Sequence, residues 1–119
     1  MNILNRDDNI NNMQKDNNIS VDFIDDGDYY IIYADLCGVT KEDIDIEIKG
    51  QVLMINAKRE FEIKNGFHSS GIKTGKLCKV VELKSDIDVE KTVAEYNNGL
   101  LKIIIPKVKN ENAMKIEIK

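Results

Sequence analysis

Histidine and cysteine are the side chains that most often carry nucleophilic and metal chemistry. This chain has one histidine, His68, and two cysteines, Cys37 and Cys78. A cysteine nucleophile needs an imidazole within hydrogen-bond reach and a third group to orient it. His68 stands in the Gly/Ser stretch Asn65-Gly66-Phe67-His68-Ser69-Ser70-Gly71 with no such pattern around it, and reads as a solvated loop residue. The three residues also lack the spacing of a zinc site. Asp22, Asp25, Asp26 and Asp28 have the composition of a calcium loop but not the order of ligands that an EF-hand requires, and read as a solvated turn. The glycines are isolated, so no phosphate-cradling loop is present. No catalytic, cofactor or metal residues are expected, and the chain reads as a protein that is not an enzyme.

The remaining chemistry is apolar and periodic. Ile44-Asp45-Ile46-Glu47-Ile48-Lys49 puts three isoleucines on one face of a strand and three charges on the other. Ile116-Glu117-Ile118 repeats that pattern at the end of the chain, beyond the polar stretch 107–113. It reads as a terminal strand with no hairpin partner nearby. Two isoleucines left in water forgo ~1.5–3 kcal/mol each relative to burial. Such a tail is expected to dock on a groove, in its own subunit or a neighbour's, by adding to a sheet edge.

The elements that would position these residues are short strands. Val21–Ile24 and Tyr29–Asp35 alternate or are rich in aromatic and β-branched residues, and Asp26-Gly27-Asp28 turns the chain between them. Gly38–Asp43 reads as a polar loop with one helical turn capped by Thr40. Val52–Lys58 follows the turn Gly50-Gln51, and Lys76–Lys84 is the next strand. Glu60–Gly75 has no strong period and reads as a long loop carrying at most a weak strand; loops of that length in compact domains are usually functional. Glu90–Tyr96 and Leu100–Pro106 form a hairpin around Asn97-Asn98-Gly99. Many short strands at even spacing predict an all-β, immunoglobulin-like sandwich of two antiparallel sheets. The divisions are a flexible N-terminal arm, 1–19, a sandwich domain, 20–107, and a C-terminal tail, 108–119.

The 119 residues make one domain, 42% hydrophobic and 32% charged. A net charge of −4, without interleaved basic and aromatic residues, argues against nucleic acid as a partner. No stretch approaches the ~20 apolar residues of a membrane span. Met1–Asp8 has neither the basic nor the apolar region of a signal peptide. A cytoplasmic location is expected, with both cysteines reduced rather than paired.

Two segments carry a resemblance. Ala34-Asp35-Leu36-Cys37-Gly38-Val39-Thr40-Lys41-Glu42-Asp43-Ile44 resembles the stretch A-D-L-P-G-V-x-K-E-D-I of small heat-shock proteins. Ala94-Glu95-Tyr96-Asn97-Asn98-Gly99-Leu100-Leu101-Lys102-Ile103, followed by Pro106-Lys107, is similar to their A-x-Y-x-N-G-V-L-x-I signature, and Ile116-Glu117-Ile118 to their C-terminal I-x-I anchor. Cys37 stands where the family usually has proline, and the arm is short for the family. Over residues 20–118 the resemblance implies an α-crystallin domain and an ATP-independent holdase that binds partly unfolded clients. It also implies a homo-oligomer built from dimers, with loop 60–75 able to swap a strand into the partner. On that reading Ile44, Ile46 and Ile48 form one wall of a client-binding groove. The hairpin strand 90–96, with Val93, forms the other, although the sequence leaves open which of its side chains face the groove. Ile116 and Ile118 are the anchor. The alternatives are a CS-domain-like co-chaperone module and a structural assembly protein that reuses the sandwich.

Overall fold

Alternation fixes which side of each strand is buried, and burial fixes how the strands stack. The computed structural model describes residues 18–61, 71–108 and 116–119. Its strands are β1 (Val21–Asp25), β2 (Tyr29–Asp35), β3 (Ile44–Lys49), β4 (Val52–Arg59), β5 (Gly75–Glu82), β6 (Val93–Asn97) and β7 (Leu100–Pro106). They form two sheets, a four-stranded one in the order β1-β2-β7-β6 and a three-stranded one in the order β3-β4-β5. Every pairing is antiparallel, and no α-helix occurs among the described residues. The fold is the expected all-β sandwich. The N-terminal residues 1–17, most of loop 60–75 with His68, and residues 109–115 lie outside the described part, as does any strand exchange through that loop.

The inner faces meet over Ile32, Ala34 and Leu36 from the first sheet and its exit, Ile103 and Ile105 beside them, and Leu53 and Ile55 opposite, all without solvent exposure. Each buried aliphatic side chain of this size contributes roughly 1.5–3 kcal/mol. One flank of the sandwich is closed by the chain itself. The Asn18 amide donates to the Cys78 carbonyl on β5 at 3.0 Å, and the Asp35 amide of β2 donates to the Ser20 carbonyl at 2.9 Å. Residues 18–20 thus cross from the edge of one sheet to the edge of the other. Ile19, between them, is buried in the core.

The hairpin β6-β7 turns on Asn98-Gly99, with φ of 54° and 81°. Both values are left-handed, as a two-residue type I′ turn requires. Gly99 has a second constraint, because a Cβ there would lie 2.8 Å from the Cα of Cys37.

Three local expectations differ from the structure. Residues 89–91 form a 3-10 turn and not the start of a strand. The Thr92 amide closes that turn on the Val89 carbonyl at 3.1 Å, and the Thr92 hydroxyl donates to the Asp88 carbonyl. Thr40 precedes a 3-10 turn, Lys41–Asp43, but its hydroxyl donates to the Asp43 carboxylate at 2.9 Å instead of capping a backbone N–H. Residues 116–119 are not in a strand, since a lone extended segment has no ladder to stabilise it.

Gly99→Ala is expected to lower stability by about 1–3 kcal/mol from its backbone conformation alone, with the contact at Cys37 adding to that. Gly27→Ala provides the control, since its φ is 94° but an added methyl meets nothing within 4 Å. Urea denaturation should give a larger loss for Gly99→Ala; equal losses would remove the close approach to Cys37 as a constraint.

Candidate functional site

The flank opposite Ile19 is not bridged. Here the edge strands β3 and β6 of the two sheets border a cleft of about 230 Å³ whose lining includes Lys41, Ile44, Ile46, Ala94, Tyr96 and Leu101. Ile44 and Ile46 share the inner face of β3 and are only half-buried. Across the cleft the side chains are small or anchored elsewhere. Ala94 is in register with the buried Ile103, so its methyl faces inward, yet it remains exposed. A single methyl at that position cannot reach β3, and the cleft is the volume left over.

Tyr96, the next inward residue, does not fill it because its phenol is held at the corner that joins the sheets. Its hydroxyl lies 2.7 Å from the Leu36 carbonyl and 2.5 Å from that of Val39, and its one proton serves both. Burial, with Cys37 nearby, pushes the phenol above the ordinary tyrosine range. Arg59 at the end of β4 holds the same corner. Its side chain is buried, and it donates to the carbonyls of Cys37 at 2.9 Å and Lys73 at 3.1 Å. The Leu36 amide donates to the Gly99 carbonyl at 2.8 Å.

The anticipated site residues are distributed as follows. Ile44 and Ile46 line the cleft. Ile48 lies on the same face of β3 but packs against the core beyond the cleft. Val93 is in register with Ile104 on the outer face of its sheet and points away from the cleft. Ile116 and Ile118 are 89% and 99% exposed and do not occupy it. Ala94 and Tyr96 on this wall were not singled out from the sequence. The signal was available in the Asn98-Gly99 turn, which pairs Asn97 with Leu100 and so Ala94 with Ile103.

The other candidates resolve into local structure. The Asp25 carboxylate accepts the Gly27 amide and pairs with Lys107, which holds it below the usual carboxylate range and lifts Lys107. Asp26 accepts the amides of Asp28 and Tyr29. Among the described residues no group of three or more His, Cys, Asp or Glu side chains could hold a metal ion. Cys37 is exposed and Cys78 buried, and no disulfide joins them. A larger hollow of about 570 Å³ lies over the β3-β4-β5 sheet, with Ile44, Ala57 and Leu77 in its lining and Glu42, Asp43, Asp45, Lys58 and Lys76 around them. No helix among the described residues is long and apolar enough to cross a membrane.

Comparison with known proteins agrees with this geometry. The model of the Hsp20/alpha crystallin family matches residues 22–119. Small heat shock protein C4 of Rickettsia felis is 33% identical over 92 residues, 75% of this chain and 56% of the relative. The 16.9 kDa class I heat shock protein 1 of Triticum aestivum is 34% identical over 107 residues, 85% of this chain and 71% of the relative. Among solved structures, heat shock protein 16.0 from Schizosaccharomyces pombe superposes with a TM-score of 0.72 at 28% identity, covering 85% of this chain and 75% of that one. The chain therefore spans little more than half of the first of these relatives.

Removing the Tyr96 hydroxyl takes the phenol from both corner carbonyls; that of Leu36 keeps the Val39 amide at 3.0 Å, and that of Val39 loses its donor. Tyr96→Phe is expected to cost about 1–2 kcal/mol, read as a lower urea midpoint with an unchanged m-value. An unaltered midpoint would mean that water replaces the phenol and that the corner does not depend on it.

Proposed function

We propose, from the premise that this chain belongs to the Hsp20/alpha crystallin family, that it is an ATP-independent holdase. In this reading it binds partly unfolded proteins in the cytoplasm and assembles from dimers into a larger homo-oligomer. The observation that carries the reading is the pairing of an open apolar cleft with an exposed Ile-x-Ile tail on one chain. Cleft and tail complement each other. In an extended tail Ile116 and Ile118 project to one side and Glu117 to the other, and Ile44 and Ile46 present the same two-residue spacing on β3.

Docking both isoleucines contributes roughly 3–6 kcal/mol gross. Ordering the tail offsets part of that, so a single contact is weak and reversible, and several around an oligomer reinforce one another through effective concentration. The ordering term grows with temperature. Heat therefore releases tails and uncovers clefts, and apolar client segments take their place. A CS-domain-like module has no use for such a tail, which favours the holdase over that alternative.

Without nucleotide, the purified protein should suppress light scattering by a heat-denatured client at equimolar subunits; undiminished scattering would sink the holdase reading. The joint itself is tested from both sides. Ile116→Ala with Ile118→Ala, and separately Ala94→Phe, which fills the cleft, should leave far-UV circular dichroism unchanged. Both should shift assemblies toward dimers in size-exclusion chromatography with light scattering. Variants that keep the wild-type mass above a dimer would show that tail and cleft do not form the assembly joint.

A further inference from the structure

The outer face of the four-stranded sheet carries a row of aliphatic side chains that the cleft does not use. Ile24 of β1 is in register with Ile31 of β2, Ile31 with Ile104 of β7, and Ile104 with Val93 of β6. None of the four belongs to the core. Ile24 is 42% and Val93 50% exposed, and Ile31 and Ile104 between them are half-buried. One row therefore crosses all four strands with aliphatic residues only, over a span of roughly 14 Å at the usual strand spacing. The next row on the same face is polar: Asp22, Tyr33, Lys102 and Glu95, with Lys102 lying over the Tyr33 ring. Asp35 and Asn97 flank Leu100 beyond it.

We infer that this row is a second docking surface, specific for apolar segments of unfolded chains that carry lysine or arginine. The inference rests on the holdase reading and names the client chemistry. Two features select the occupant. The first is size: this sheet face offers on the order of 400 Å², about half of the ≈800 Å² that each partner gives to a specific protein–protein interface. It suits one peptide segment and falls short of a second copy of this chain. The second is charge. In the adjoining row Asp22 and Glu95 outnumber Lys102, so a basic segment gains and an acidic one is repelled.

The probes are two fluorescein-labelled peptides, KLLKLLKLLKLL and ELLELLELLELL, titrated against the full chain by fluorescence anisotropy. The wild type is expected to bind the basic peptide more tightly. Ile24→Thr with Val93→Thr keeps β-branched residues on exposed positions and should weaken that binding about tenfold, from the lost apolar contact, with circular dichroism and oligomer mass unchanged. Asp22→Asn with Glu95→Gln should erase the preference between the peptides while leaving apolar binding in place. Equal binding by wild type and row variant overturns the inference, and so does binding of neither peptide. A fall in oligomer mass in the row variant also overturns it, since the row would then join copies of this chain. Client aggregation separates the two readings. If the row variant protects a heat-denatured client as well as the wild type, the inference fails while the holdase reading stands. If the wild type protects nothing, the holdase reading fails with it.

Discussion

The carbonyls of Leu36, Cys37 and Val39 set the spacing of the two sheets along the open flank. They belong to the short connection that carries the chain from β2 in one sheet to β3 in the other. Tyr96 of β6 and Arg59 of β4 both donate to that connection, and the Gly99 carbonyl accepts from its Leu36 amide. Both edges of the cleft are therefore tied to one corner, β3 covalently and β6 through Tyr96. Gly99 can have no side chain because the corner comes too close. With Ile19 closing the other flank, the sandwich is shut on one side and held open at a defined width on the other.

Strands with a strong local signal were legible in the sequence. Ile44–Lys49 and Tyr29–Asp35 coincide with β3 and β2 at both ends, because period-2 alternation in the one and β-branched and aromatic density in the other leave little competition. The hairpin turn was legible in Asn98-Gly99, since few residue pairs accept two left-handed conformations. Glu90 to Thr92 was misread because a hydroxyl-to-carbonyl bond competes with strand extension and leaves no mark in apolar periodicity.

The site was legible only in part, for a related reason. Ile44 and Ile46 follow from alternation, whereas Val93 attracts attention as the large apolar residue of its strand and Ala94 does not. Register reverses their roles, and register depends on counting outward from the turn. Arg59 gave no signal at all, since a buried guanidinium is recognisable only once the carbonyls it serves are assembled around it. The consequence for β6 is that neighbouring residues serve different surfaces: Ala94 opens the cleft and Val93 ends the outer aliphatic row.

The root of the tail is fixed. The Lys107 amide donates to the Asp28 carbonyl and the Val108 amide to that of Asp86, while the Lys107 ammonium sits over the Tyr30 ring. The chain is therefore held to the sandwich as far as Val108. From there to Ile116 is eight residue steps, at most about 29 Å of fully extended chain. That length is a tether radius. On the proposed docking of Ile116 and Ile118, a neighbouring subunit receives the tail only if its cleft mouth falls within that sphere around Val108, so the number of residues between the two points sets an upper bound on how far apart joined subunits can sit.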